Sequence, residues 1–143
     1  MRLGVVPYFN AFPLIYGLPF EKYFAPPALL NQIAEPEDII LAPIVGAFLD
    51  PAWYLIEGLG IGSFGAVETV KLFFMNNGIT PYNIKKIYID PESRSSVALL
   101  KILLENFFHR NRKELSFSNQ TDCEGKLLIG DKVWQEKKGP FLD

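Results

Sequence analysis

The segment Asp90-Pro91-Glu92-Ser93-Arg94-Ser95-Ser96 sets three hydroxyls, a guanidinium and two carboxylates where a short apolar run gives way to a helical pattern. At a helix start the first backbone N–H groups lack intrahelical partners, and the positive end of the helix dipole lies there. Such a place can hold a carboxylate or a phosphate. The competing role is an N-cap, for which serine is a favoured residue. Three serines and an arginine exceed what one cap needs, and both readings stand on the local sequence. Small polar residues follow apolar runs at three more places: Tyr8 and Asn10, Ser63 and Gly65, and Gly130 with Asp131. Asn10 sits between Phe9 and Phe12, where it could close an Asx-turn on its own backbone or hydrogen-bond a bound hydroxyl or carboxylate. Gly62-Ser63-Phe64-Gly65 is too short for a dinucleotide fingerprint, and no phosphate-binding G-x-x-x-x-G-K-[ST] loop occurs.

Other reactive residue types are scarce. His109 is the single histidine and Cys123 the single cysteine, so neither a zinc ligand set nor a Cys/His nucleophile motif is read. His109 belongs with Arg110 and Arg112 at a helix C-terminus, where cations are favoured. No metal and no cofactor is expected. Glu21, Glu35, Glu37, Asp38 and Asp50 read as solvated faces and caps, and Arg2, Lys85 and Lys86 as equally structural.

The elements that must position these groups form an α/β pattern. Leu3 to Tyr8 reads as a buried strand leading to a polar loop, with Pro13 set in the first turn of a helix. Pro26-Pro27 precedes a short helix over 28–34 whose Leu29, Leu30 and Ile33 share a face. Asp38 to Pro43 reads as a buried strand covered on both sides. Tyr54 to Ser63 and Val67 to Met75 read as two more strands joined by a glycine-rich turn. Asn76-Asn77-Gly78 and Pro81 then break the pattern, which sets a lobe boundary there: 1–80 and 81–143. Lys85 to Asp90 is a strand, followed by a helix with Val97, Leu100, Leu103/Leu104 and Phe107/Phe108 at helical spacing. Glu114 to Phe117 and Lys126 to Gly130 are strands, and Asp131 marks a helix start. In such folds ligands gather at the carboxyl ends of strands. Mainly parallel sheets are expected.

Composition bounds the function. Of 143 residues 49% are hydrophobic and 21% charged, with 12 Phe and 6 Tyr, which suits an aromatic-rich core rather than disorder. The net charge of −2 and the lack of a Lys/Arg block argue against nucleic-acid binding. No apolar stretch reaches the ~20 residues of a membrane span, and no signal peptide is read after Met1-Arg2, so a cytoplasmic location is expected.

Taken in order, five segments resemble a known family. Gly4-Val5-Val6-Pro7-Tyr8-Phe9-Asn10-Ala11-Phe12-Pro13-Leu14 resembles the N-terminal G-x-x-x-Y-x-N-x-x-P-L signature of the chorismate dehydratases of the futalosine route to menaquinone. Asp38 to Pro43 resembles their second strand, and 61–70 their I-x-S-x-G-x-V-x-S-V segment. Asp90 to Leu100 resembles D-x-x-S-R-T-S-V-A-L-L, and Leu128-Ile129-Gly130-Asp131 their L-I-G-D. Phe64, Ala66 and Glu68 depart from the family's frequent Asp, Pro and Arg.

The resemblance implies a periplasmic-binding-protein-like type II fold, here a first lobe plus part of a second. It also implies dehydration of chorismate to 3-[(1-carboxyvinyl)oxy]benzoate. Asn10 and Ser63 would then be the catalytic residues, while Tyr8, Gly65, Ser93, Arg94, Ser95, Ser96 and Asp131 would bind substrate. Family members continue past Asp143, so a fragment, a truncated product or half of an assembly is expected, with self-association through the incomplete second lobe as one outcome. The rival expectation is a non-catalytic binding protein for a small carboxylate.

Overall fold

Backbone hydrogen bonding sorts the strands into two sheets in the computed structural model, which describes residues 1–136 and 140–142. The chain divides into two compact units, Met1–Ser63 and Phe64 onward.

In the first unit, β1 (Leu3–Val5) is the middle strand of three, parallel to β2 (Lys22–Phe24) on one side and β3 (Ile39–Ile40) on the other. All three residues of β1 are buried, as a central strand with no polar alternation should be. Its loop turns directly into α1 (Phe12–Ile15), with Pro13 early in the helix, where a missing N–H costs nothing. α2 (Pro27–Ile33) likewise starts on a proline. The core gathers Leu3, Val5, Val6, Ala11, Ile15, Ala25 and Leu30.

Three expectations for this unit need correction. Only Leu30 of the expected α2 face is buried, while Leu29 and Ile33 are exposed, because a seven-residue helix lying on a three-stranded sheet covers little more than one turn's width. β3 is a two-residue edge strand, half-buried rather than covered on both sides. The stretch 54–63 forms no strand: Tyr54, Leu55, Ile56, Leu59 and Ile61 are all exposed. A strand requires a partner edge, and glycines at 58, 60 and 62 leave little side-chain surface to secure one. α3 (Ile44–Leu49) and β2 went unanticipated.

Asp38 is not solvated either. Its side chain is 2% exposed. It accepts hydrogen bonds from Arg2 Nε and Nη2 (3.1 and 2.6 Å), from the backbone N–H of Arg2 and Glu35 (3.1 Å each), and from the Tyr23 hydroxyl (3.2 Å). The Arg2 guanidinium holds this carboxyl well below the usual carboxylate range despite the opposing effect of burial, and the two backbone N–H groups add to it. The network ties the starts of β1 and β3 to each other and to Tyr23 in the middle of β2. Gly4 is required beside it, since a Cβ there would stand 2.6 Å from the Tyr23 ring and hydroxyl.

In the second unit the strand order is β6-β5-β7-β4-β8, with β4 (Val70–Phe74), β5 (Lys86–Ile89), β6 (Ser116–Ser118), β7 (Gly125–Ile129) and β8 (Phe141–Leu142). β5 pairs in parallel with β6 and β7, whereas β4 is antiparallel to β7 and β8. The sheet is therefore mixed rather than mainly parallel. Both faces of β4 are covered: Leu72 and Phe74 join a core with Ile84, Ile87, Leu100, Leu104 and Leu127, and Phe73 packs with Leu128 and Val133. α4 (Ser95–Ile102) continues through 103–107 with a wider π turn. It docks through Leu100 and Leu104, leaving Leu99, Ile102 and Phe107 exposed. The helix ends on His109, which takes a left-handed conformation (φ 52°), while Arg110 N–H reaches back to the Leu104 carbonyl. α5 (Lys132–Gln135) follows β7. No helix among the described residues is long and apolar enough to cross a membrane.

Candidate anion-binding site

Because β5 and β7 are parallel neighbours, their carboxyl ends emerge side by side. Asp90 follows β5, and Gly130, Asp131 and Lys132 follow β7. Gly130 makes this corner with a positive φ of 62° and donates its N–H to the Thr69 carbonyl at 2.8 Å. Lys132 then reaches back across the sheet end. Its Nζ lies 3.1 and 3.0 Å from the two carboxylate oxygens of Asp90 and 3.1 Å from Glu92 Oε2. The Asp90 side chain is fully buried, and its Oδ1 also accepts the Glu92 N–H at 3.0 Å. The Asp90 carbonyl accepts the Ser93 N–H at 2.9 Å, which closes the 90–93 turn. Burial works against the Lys132 ammonium, yet its hydrogen bonds to Asp90 and Glu92 outweigh burial and raise its pKa.

The turn delivers Ser93 with a buried Oγ that has no hydrogen-bond partner among the described residues. A buried hydroxyl without a partner costs about 1–3 kcal/mol, so such atoms are few in native proteins and often belong to sites. The N-cap position of α4 falls on Arg94, and no side chain caps the helix from it. Ser93 to Ser96 are thus partly buried at the helix start without Ser93 serving as the cap. Asp131 is half-buried in the same corner, one residue from the clamp.

In the first unit, Tyr8 and Asn10 share the turn after β1. Tyr8 N–H donates to the Val6 carbonyl at 2.9 Å, and a single 3-10 turn spans Phe9–Ala11. The Asn10 Oδ1 is buried without a hydrogen-bond partner among the described residues, so it closes no Asx-turn on its neighbours. Phe9 and Phe12 flank it, both exposed. Ser63 ends the first unit and Gly65 lies at the start of the second, with φ 91°; both are exposed. The structure thus brings Tyr8 and Asn10 together in one turn, and Ser93 to Ser96 and Asp131 together at one sheet end. Among the described residues no group of three or more His, Cys, Asp or Glu side chains could hold a metal ion.

Comparison with known proteins bears on the same segments. The family model for menaquinone biosynthesis matches residues 1–141, nearly the full length, including every segment above. The chain belongs to the menaquinone biosynthesis family. Among relatives, a chorismate dehydratase from Thermus thermophilus is 30% identical over 140 residues, covering 92% of this chain and 51% of the relative. This menaquinone-biosynthesis family chain therefore spans about half the length of that relative. Lys132 is the residue the sequence did not disclose. Its only signal is position: it follows the strand that the topology sets beside β5.

Proposed function

We propose that this chain carries the chorismate-binding elements of a chorismate dehydratase, and that its units correspond to the first lobe and part of the second lobe of a periplasmic-binding-protein-like type II fold in a cytoplasmic enzyme. The observation that carries this reading is the unpartnered, buried Ser93 Oγ at the start of α4, within a family-matched segment. A substrate carboxylate docked there would meet that hydroxyl, the serines at 95 and 96, backbone N–H groups of the helix start and the positive end of the dipole. Arg94 would add a cation. In the first unit, Asn10, whose buried Oδ1 has no partner among the described residues, would offer an acceptor to a substrate hydroxyl, with Tyr8 in the same turn.

Dehydration to 3-[(1-carboxyvinyl)oxy]benzoate removes water from the ring, and aromatisation drives it. The protein's task is to hold two carboxylates, place the leaving hydroxyl and pass one proton. Lys132 is a poor base because its ammonium is stabilised by two carboxylates, and His109 lies exposed at the far end of the helix that Ser93 to Ser96 begin. A substrate carboxylate acting as its own base, oriented by the protein, fits these facts.

Calorimetry of chorismate binding to the chain and to a Ser93→Ala/Ser95→Ala/Ser96→Ala form tests the reading. Loss of Ser93 alone removes one charge-assisted hydrogen bond, worth roughly tenfold in affinity, and the triple form is expected to lose more. Unchanged uptake by the triple variant would overturn it. The second reading is a carboxylate-binding protein that does not turn its ligand over, favoured by the engagement of Lys132 as a cation. Following the aromatic product's absorbance after adding chorismate separates the two.

A further inference from the structure

Resting on that docking reading, we infer that Lys132 is a positioning residue of the anion site: by bridging Asp90 and Glu92 it fixes the turn that presents Ser93 and offsets the acidic charge a negatively charged ligand would otherwise meet. The argument starts from charge. Asp90 and Glu92 both lie within three residues of Ser93, and Asp90 is fully buried, so its carboxylate has no water to spread its field into. An anion approaching Ser93 to Ser96 would be repelled by both unless a cation stood among them.

Arg94 lies in the stretch itself, but Lys132 is the cation that pairs with both carboxylates, and bridging two of them sets it apart from the other paired lysines described in the unit. Lys71 pairs with Glu68 and Lys86 with Asp122, each carboxylate largely exposed, and Lys126 pairs with the single, partly exposed carboxylate of Glu136 at 3.2 Å. Exposed pairs contribute little. Lys132 instead contacts three carboxylate oxygens on two residues, one of them without solvent access, across 42 positions of sequence. The same Asp90 side chain receives the Glu92 N–H, and the Asp90 carbonyl the Ser93 N–H. The position of Ser93 is therefore set through Asp90, and that of Asp90 through Lys132.

The test is an amide NMR titration of the whole 143-residue chain with chorismate, reading the Ser93 to Ser96 signals. Lys132→Met is expected to weaken binding roughly tenfold, and Lys132→Arg, which keeps the charge, to restore most of it. The decisive form is Lys132→Met with Glu92→Gln, in which removing one acidic charge is expected to recover several-fold in affinity. A lysine that merely held the fold together would give no such recovery. If Lys132→Met does not fold, Lys132→Gln, which still donates to Asp90, takes its place in the same comparison. Equal affinity in the unsubstituted and Lys132→Met chains, or no recovery with Glu92→Gln, would overturn the inference while leaving docking at the serines intact. Absence of chorismate shifts at Ser93 to Ser96 in the unsubstituted chain would instead overturn the docking reading, and the inference with it.

Discussion

Substituting Gly125 should destabilise the second unit by an amount that a second substitution partly returns. Gly125 opens β7 in the middle of the sheet, paired with Phe74 on one side and Ile87 on the other. A Cβ added there would stand 2.6 Å from Ile84 Cδ1, 3.1 Å from the Phe73 carbonyl oxygen and 3.3 Å from Leu72 Cδ1. Ile84 is completely buried, so its methyl has no solvent to move into. Overpacking of this kind costs about 1–3 kcal/mol. Replacing glycine within a strand returns about 0.5–1 kcal/mol of chain entropy. Gly125→Ala should therefore lose a net ~0.5–2 kcal/mol. Ile84→Val removes the obstructing methyl and by itself costs about 0.5–1.5 kcal/mol. Together the two should cost about 1 kcal/mol less than their sum, because the space the valine leaves is the space the alanine needs. Urea denaturation followed by Trp134 fluorescence, in a Trp53→Phe background so that only the second unit reports, measures all four corners of the cycle. Additivity within about 0.3 kcal/mol would show that Ile84 is not what the new methyl meets.

Two further outcomes follow from the geometry. Asp38 has a folded-state pKa below its unfolded value, so its contribution is present above about pH 4 and is lost as pH falls below it, through the folded pKa. Asp38→Asn should lower stability near neutral pH and flatten the acid limb of the pH–stability curve by about one proton, and an unchanged acid limb would dismiss the network as its source. His109→Gly should raise the stability of the second unit by roughly 0.5–1 kcal/mol, since only glycine adopts the left-handed helix end without strain. A lower denaturation midpoint would show that the imidazole contributes more than the backbone costs.

The segments of the candidate site stand out in the chain because their signals are local. A serine-rich helix start after an apolar strand is visible within ten residues, and α4 lies where Leu100 and Leu104 place it. Asn10 is marked by a polar side chain among aromatics, and its Oδ1 has no partner among the described residues. What escaped depends on partners distant in sequence. Asp38 reads as solvated until Arg2, 36 positions away, closes on it. Lys132 has no distinction until the parallel pairing of β5 and β7 sets it beside Asp90. The orientation of β4 cannot be inferred from Val-Lys-Leu-Phe-Phe alone, since an apolar run fits a parallel or an antiparallel neighbour. Conversely, Tyr54 to Ser63 has the apolar content of a strand but no edge to join, and content without a partner forms no sheet.

The antiparallel placement of β4 carries a consequence for biosynthesis. Its strand partners among the described residues are Gly125–Ile129 and Phe141–Leu142, so the apolar run Val70–Phe74 is translated some fifty residues ahead of the first of them. At ordinary elongation speeds of ~5–20 residues per second, that is a wait of several seconds with a five-residue adhesive stretch uncovered. Nascent chains of this protein should therefore be most prone to coaggregation, and most dependent on chaperone cover, in the interval between emergence of Phe74 and release of β7 from the ribosome.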